Sequence, residues 1–285
     1  MTAGSGVLNK RNFSSLFGYA LVLVWALFTF VLIGWVFFAS LSTSSEIFSD
    51  HMFSFKSGLH FENYIKAWNT QRVSVFFMNS LLYTVVSCTA IILIASPAAY
   101  ALSRFAFPGN TLIQNMFAAA LGIPVIMIIM PLFGVVSALR LTNSRWVLMF
   151  LYTAMNIPFA VFYLLAFFRN LSFTYEEAAS IDGCSPIAAF WKIMFPLIQP
   201  GLITLTIFNF ITIWNEYFMS LIFANRQAVR PVAVGLYNMI QSMRYTGDWG
   251  GMFASVVIVF LPTFILYVFL SDKIIKGVTA GAIKG

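Results

Sequence analysis

Charge is scarce in this chain. Asp, Glu, Lys and Arg make up 9% of its 285 residues, against about 25% in soluble domains, too few to solvate a water-facing surface of that size. Cysteine and histidine are rarer still, at two each. Cys88 sits in an apolar run and Cys184 in a polar loop, so a disulfide between them is not expected and a metal site lacks ligands. His51 and His60 have no carboxylate or thiol constellation around them and read as loop residues. The formal charge is +7, but the basic residues are scattered singly around apolar stretches, which excludes the basic stripe of a nucleic-acid-binding surface. Also missing are a G-x-x-x-x-G-K-[ST] phosphate loop, H-E-x-x-H, a G-x-S-x-G elbow and paired carboxylates within apolar runs. A nucleotide-hydrolysing or membrane-hydrolase reading therefore has little to stand on, and no catalytic residue or bound cofactor is expected.

What is present is apolar: 60% hydrophobic residues, 18% of the chain aromatic. The runs extend from end to end, which predicts one all-α integral membrane domain over 17–275, with 1–16 before it and a tail of 276–285. The six expected spans are about 17–39, 75–95, 112–135, 146–168, 202–223 and 253–270. The first is uncharged over all 23 residues from Phe17 to Ala39. A signal-peptide core is about 7–15 residues, so this run reads as a retained anchor. Pro124 and Pro131 fall in the third run and should bend it, since each removes a backbone donor. Between the first two spans, Phe61, Tyr64, Ile65 and Trp68 recur at helical spacing and suggest an amphipathic interfacial segment.

The fifth span carries polar residues where they are expensive. Asn209, Thr212 and Glu216 share one helical face, with Trp214, Asn215 and Tyr217 beside them. An acidic side chain at a span's centre costs about 2.5–3.5 kcal/mol on insertion scales, so this face is assigned to a solute path or a subunit interface; a packed, snorkelling Glu216 is the alternative. The polar stretch from Ala224 to Gly250 ends in a glycine-rich tip. Asn215→Leu should impair passage of solute if the face lines a path.

A polar island, Tyr175 to Gly201, interrupts the apolar pattern between the fourth and fifth spans. Thr174 with Glu177 three residues on reads as a capping box starting a helix at Tyr175, with the carboxylates of Glu176 and Glu177 near its positive end. Gly183 ends that helix in the left-handed conformation. Ser185-Pro186 supplies an N-cap and a first-turn proline for a second helix over Pro186 to Phe195.

Glu177-Ala178-Ala179, three residues, Gly183, nine residues, Ile193, and Pro196 after one more apolar pair resembles the EAA loop of bacterial ATP-binding-cassette importer permeases. Phe195 stands where that family usually has Leu. Ala98 to Arg104 with Phe107 to Gly109, and the Gly277 to Gly285 end, are similar to segments of maltose-type sugar permeases. The resemblance implies a type I importer permease fold of six transmembrane helices in a bacterial or archaeal plasma membrane, with both termini and the 171–200 loop cytoplasmic. It implies that Glu176, Glu177, Ala178, Ala179, Asp182, Gly183, Ile193 and Pro196 couple to a separate ATPase. The implied partners are a second homologous permease, two ATPase subunits carrying the ATP and Mg²⁺, and an extracytoplasmic solute-binding protein touching Arg244, Thr246, Gly247, Asp248 and Trp249. The implied solute is a sugar. A non-sugar solute such as a glycerol phosphodiester is the alternative within the same architecture, and an ion-driven secondary transporter is the alternative outside it, although that class shows inverted repeats not evident here. Charge bias leaves the orientation undecided, with eight Lys and Arg on each side of the six-span topology.

Overall fold

The computed structural model describes residues 5–49 and 55–282; His51, Lys284 and the last residue of the tail lie outside them, and no side chain is described for 5–14, Arg244, Thr246 or 272–282. Every regular element among the described residues is helical. In order these are α1 (Ser5–Ser40), α2 (Ser44–Ile47), α3 (Glu62–Ile65) running into a π turn Lys66–Thr70, α4 (Val73–Arg104), α5 (Asn110–Ala120), α6 (Val125–Ala138) and α7 (Arg145–Asn170). They continue with α8 (Thr174–Ile181), α9 (Pro186–Ala189), a π turn Phe190–Met194, α10 (Phe195–Leu197), α11 (Gln199–Trp214), α12 (Phe218–Phe223), a 3₁₀ turn Gln227–Val229, α13 (Val232–Thr246) and α14 (Trp249–Ala282).

Among the described residues, four helices are long and apolar enough to cross a bilayer unaided: α1 over Ser15–Ser40, α4, α7, and α14 over Trp249–Ser271. Two further pairs qualify if each bent pair is one span: α5 with α6, bent by 98°, and Pro186–Leu197 with α11, bent by 73°. The third expected span is thus broken, not merely curved. Pro124 stands extended at the N-cap of α6 (φ −63°, ψ 123°), where a residue with no N–H can start a new helix but cannot continue the old one. Pro131 lies inside α6.

The chain divides into two compact units, Arg72–Asn238 with Val259–Gly285, and Met1–Gln71 with Met239–Ile258. In the larger, α4 lies along α7 and α11 packs on both. Ala95, Ala99 and Ala160 are fully buried there; small side chains let helices approach closely where no hydrophobic effect drives them together. Polar groups inside this core find partners: Ser87 donates to the Met149 carbonyl at 3.2 Å and Tyr83 to the Val229 carbonyl at 2.7 Å.

The smaller unit is held by a polar clasp. Asn63, buried, donates to the carbonyls of Ser40 and Ser42 at 3.1 and 3.0 Å. Gln71 donates to Asp248 Oδ2 at 2.9 Å and accepts from Ser255, while Asp248 Oδ1 accepts the Gly251 N–H at 3.2 Å and so caps α14. Gly250 is required by this closeness: a Cβ there would lie 2.6 Å from the Asn63 amide and 2.7 Å from the Ser42 carbonyl. Phe61 and Ile65 of the expected interfacial segment are exposed, and Tyr64 reaches Ser40 Oγ at 2.7 Å. His60 bridges Ser57 and Glu62.

Glu46 closes a capping box with Thr43 and also accepts the N–H and hydroxyl of Ser57 at 2.9 and 2.8 Å. The Ser57 donors first, then those of Thr43, hold its carboxyl down to about 2. A carboxyl depressed on folding stabilises above its unfolded value and stops doing so as pH falls through its folded value. Between about pH 4.5 and pH 2 the parent protein should therefore lose thermal midpoint more steeply than Glu46→Gln; parallel slopes in a detergent melting series would contradict this.

Candidate functional site: a helix-turn-helix between the fourth and fifth spans

The polar island folds into two helices around one turn. Its start differs from the sequence expectation. Thr174 is the first residue of α8, not its cap, and Phe173 at the cap position makes no side-chain bond. The Ser172 hydroxyl instead accepts the Thr174 N–H at 3.3 Å and pairs with the Thr174 hydroxyl at 2.8 Å, which moves the start back by one residue and leaves no capping box.

The turn matches expectation in detail. Gly183 has φ +77°. The Gly183 N–H reaches the Ser180 carbonyl at 3.1 Å and the Cys184 N–H the Ala179 carbonyl at 2.9 Å, the two bonds of a Schellman motif. Ser185 then accepts the Ala188 N–H at 3.3 Å with Pro186 in the first turn. A single left-handed residue therefore lies between a helix end closed by a Schellman motif and a helix start capped by Ser185.

One side of this element is seated and the other is bare. Ala179, Ala189, Phe190 and Met194 are buried, and Phe190 meets the rings of Tyr100 and Phe168 at 5.0 and 6.3 Å. On the bare side Ile181 and Ile187 are 87% and 74% exposed, one before the turn and one after it. Glu177, Ala178, Asp182, Gly183 and Pro196 are exposed with them, while Ile193 is half-buried. The two glutamates separate: Glu177 faces out, and Glu176 faces in to Arg104, its Oε1 2.7 Å from Nε. The sequence marks Arg104 only as the end of the Ala98 to Arg104 segment and gives it no role at this site. Its partner lies far along the chain, and nothing in local spacing connects them.

The other candidates divide as well. Asn209 and Thr212 line a cavity of about 380 Å³ with Asn156, Phe159, Phe208 and Ile211. Asn209 is 1% exposed and its amide nitrogen has no hydrogen-bond partner among the described residues. The single face expected to run on to Glu216 does not form, because α11 stops at Trp214. Trp214 is core: it stacks on Phe210 at 5.5 Å and donates to the Val259 carbonyl at 3.2 Å. Asn215 is exposed and bonds back to the Ile211 carbonyl. Glu216 turns its carboxylate onto α12, accepting the N–H groups of Met219 (2.6 Å) and Ser220 (3.0 Å), the Ser220 hydroxyl (2.7 Å) and the Tyr152 hydroxyl (3.0 Å). Tyr217 meets the Tyr237 ring at 5.3 Å. Of the tip residues, Gly247 is exposed with φ +61°, Asp248 works inside the clasp, and Trp249 contacts Phe48 edge-on and donates its N–H to Ser44. The side chains of Arg244 and Thr246 lie outside the described residues.

Compared with known proteins, residues 91–279, which include the whole helix-turn-helix, match the model of the binding-protein-dependent transport system inner membrane component family. The chain belongs to that family. This permease is also 32% identical over 282 residues to the diacetylchitobiose uptake system permease protein NgcG of Streptomyces coelicolor, covering 99% of this chain and 93% of that one. To the trehalose/maltose transport system permease protein MalG of Thermococcus litoralis it is 30% identical over 270 residues, covering 94% and 95%. Its fold is that of a chain in the crystal structure of a bacterial ABC transporter involved in import of the acidic polysaccharide alginate, with a TM-score of 0.80 at 22% identity over 95% of this permease and 99% of that chain. The permease is thus a multi-pass membrane component of an ABC-type transport system, and not itself an enzyme.

Proposed function

We propose that this permease carries a neutral sugar or oligosaccharide inward and that its helix-turn-helix receives the force of ATP hydrolysis from a separate subunit. The observation carrying the second part is the bare face. Two large apolar side chains flanking a rigid turn in a membrane protein's polar loop, ringed by Glu177 and Asp182, are the features of a protein-docking point. In this reading Ala178, Gly183 and Pro196 shape the seat while Ala179 and Ile193 face the permease. The partners are two ATPase subunits holding ATP and Mg²⁺, a homologous second permease, and an extracytoplasmic binding protein approached by the Arg244 to Trp249 tip. Both termini and 171–200 then face the cytoplasm. ATPase closure would move α8 and the turn as one body and switch the permeases between inward- and outward-facing states.

The relatives named for sugars support the solute class, and so does the cavity. Its lining pairs Phe159 and Phe208 with the amides of Asn156 and Asn209 and the Thr212 hydroxyl, and it contains no charged residue. Aromatic faces suit sugar C–H surfaces, amides suit hydroxyls, and an uncharged lining disfavours an anionic solute. The orphaned Asn209 amide makes a sharp test. Removing an unpartnered buried polar group in favour of an apolar isostere is neutral or stabilising, so Asn209→Leu should leave assembly intact. If the amide meets solute in transport, uptake should fall by about tenfold, one hydrogen bond's worth. Unchanged uptake would remove Asn209 from the path.

The whole reading is tested by purifying the tagged permease from its native membrane in mild detergent, identifying co-purifying chains and assaying ATP hydrolysis. Recovery of an ATPase and a second permease is expected. A chain recovered alone and without ATPase activity in several detergents would overturn it.

A further inference from the structure

A helix that takes up a partner's motion must pass it to the membrane spans, and the structure holds one junction suited to that. Arg104 is the last residue of α4. Its side chain is 3% exposed, its Nε lies 2.7 Å from Glu176 Oε1 in the first turn of α8, and Glu176 is itself only 18% exposed. Its Nη2 donates to the Leu171 carbonyl, the C-cap of α7, at 2.9 Å, and its guanidinium lies 4.2 Å over the ring of Phe173, the residue before α8. One cation thus grips the end of α7, the entry to α8 and the first turn of α8 from the end of α4. The Nε–Oε1 contact is close in distance without hydrogen-bond alignment, so charge and burial hold it.

We propose that Arg104 and Glu176 form a tie that carries displacement of α8 into α4, making Arg104 a positioning residue for coupling. Pro97, inside α4, removes the backbone bond to the carbonyl one turn earlier, which loosens the helix at the start of the segment that ends in Arg104; Ala99, Tyr100 and Leu102 of that segment are buried, so a pull on Arg104 is passed to the core they pack in. This role rests on the reading of α8 as the coupling element and assigns the two glutamates different work: Glu177 faces the partner, Glu176 faces the span.

A buried pair loses most when one member is removed, because the other is left charged and unpaired, and less when both go. In the reconstituted transporter, Arg104→Gln and Glu176→Gln should each raise the ATP consumed per solute moved by about tenfold, within the usual span of coupling between sites. The double variant should be no worse than either single, and the exchange Arg104→Glu with Glu176→Arg should recover most of the coupling. A residue that merely stabilised the fold would lower the melting point without changing that ratio, and the exchange would not recover it. If Arg104→Gln cannot be recovered folded, Glu176→Gln and the exchange decide by the same ratio. Parent stoichiometry in Arg104→Gln, or additive losses in the double variant, overturns the tie, provided Gly183→Val in the same preparation is uncoupled. Parent stoichiometry in Gly183→Val as well would overturn the coupling reading underneath it.

Discussion

Gly183→Val is expected to leave this permease in its complex while its uptake collapses by tenfold or more and ATP hydrolysis runs on without it. No atom lies within 4 Å of where a Cβ would stand, so the substitution meets no clash. The effect is all backbone. At φ +77° an L-residue suffers a penalty of roughly 1–2 kcal/mol, and more when β-branched. The least expensive relief is to rotate out of the left-handed region, which breaks the two closing bonds from Gly183 and Cys184 and swings Ile187 away from Ile181. If the element docks the ATPase as proposed above, it then still holds its partner but no longer moves as one body, and the spans beneath it are untouched. Gly183→Asn, which tolerates the left-handed region better, should retain a substantial part of the uptake. Normal transport by the valine variant would remove the turn from the mechanism.

Glu216→Leu is expected to cost about 3 kcal/mol of stability, read as a lower melting point or earlier loss of the folded band in denaturing detergent. Two N–H groups and two hydroxyls converge on that carboxylate, and Ser220 and Tyr152 are buried. Hydrogen bonds inside membranes average well below those in mutational series from water-soluble proteins, but here one side chain supplies the acceptor for four donors, and leucine supplies none. Glu216→Gln keeps one oxygen and should lose about half as much. A leucine variant as stable as the parent would show that the break between α11 and α12 does not depend on this acceptor.

The sequence shows the four long apolar helices because hydropathy is a local property, but not that the expected 202–223 run is divided between α11 and α12; it shows Gly183 and Ser185-Pro186 because their backbone demands are local too. It shows Pro124 but not the 98° break, since the angle depends on what α6 packs against. It hides α13 inside a polar stretch: Val232, Val234, Met239 and Met243 are buried, but Asn238, Gln241 and Ser242 between them dilute the signal. It misplaces Glu216, which reads as continuing the face of Asn209 and Thr212, because the end of α11 is made by a side chain reaching forward to α12, with no proline or glycine to mark it. Glu176 and Glu177 look equivalent in the sequence. Only the placement of Arg104 separates them, and that requires the fold.

The two cysteines give the molecule a built-in reporter. Cys88 is sealed in the core between α4 and α7, whereas Cys184, directly after Gly183, is half-exposed. A bulky maleimide dye added to the unaltered chain should therefore mark one position, the turn of the helix-turn-helix, with no cysteine-free background to engineer. If the turn takes up the ATPase's motion as proposed, the dye's emission would follow nucleotide turnover.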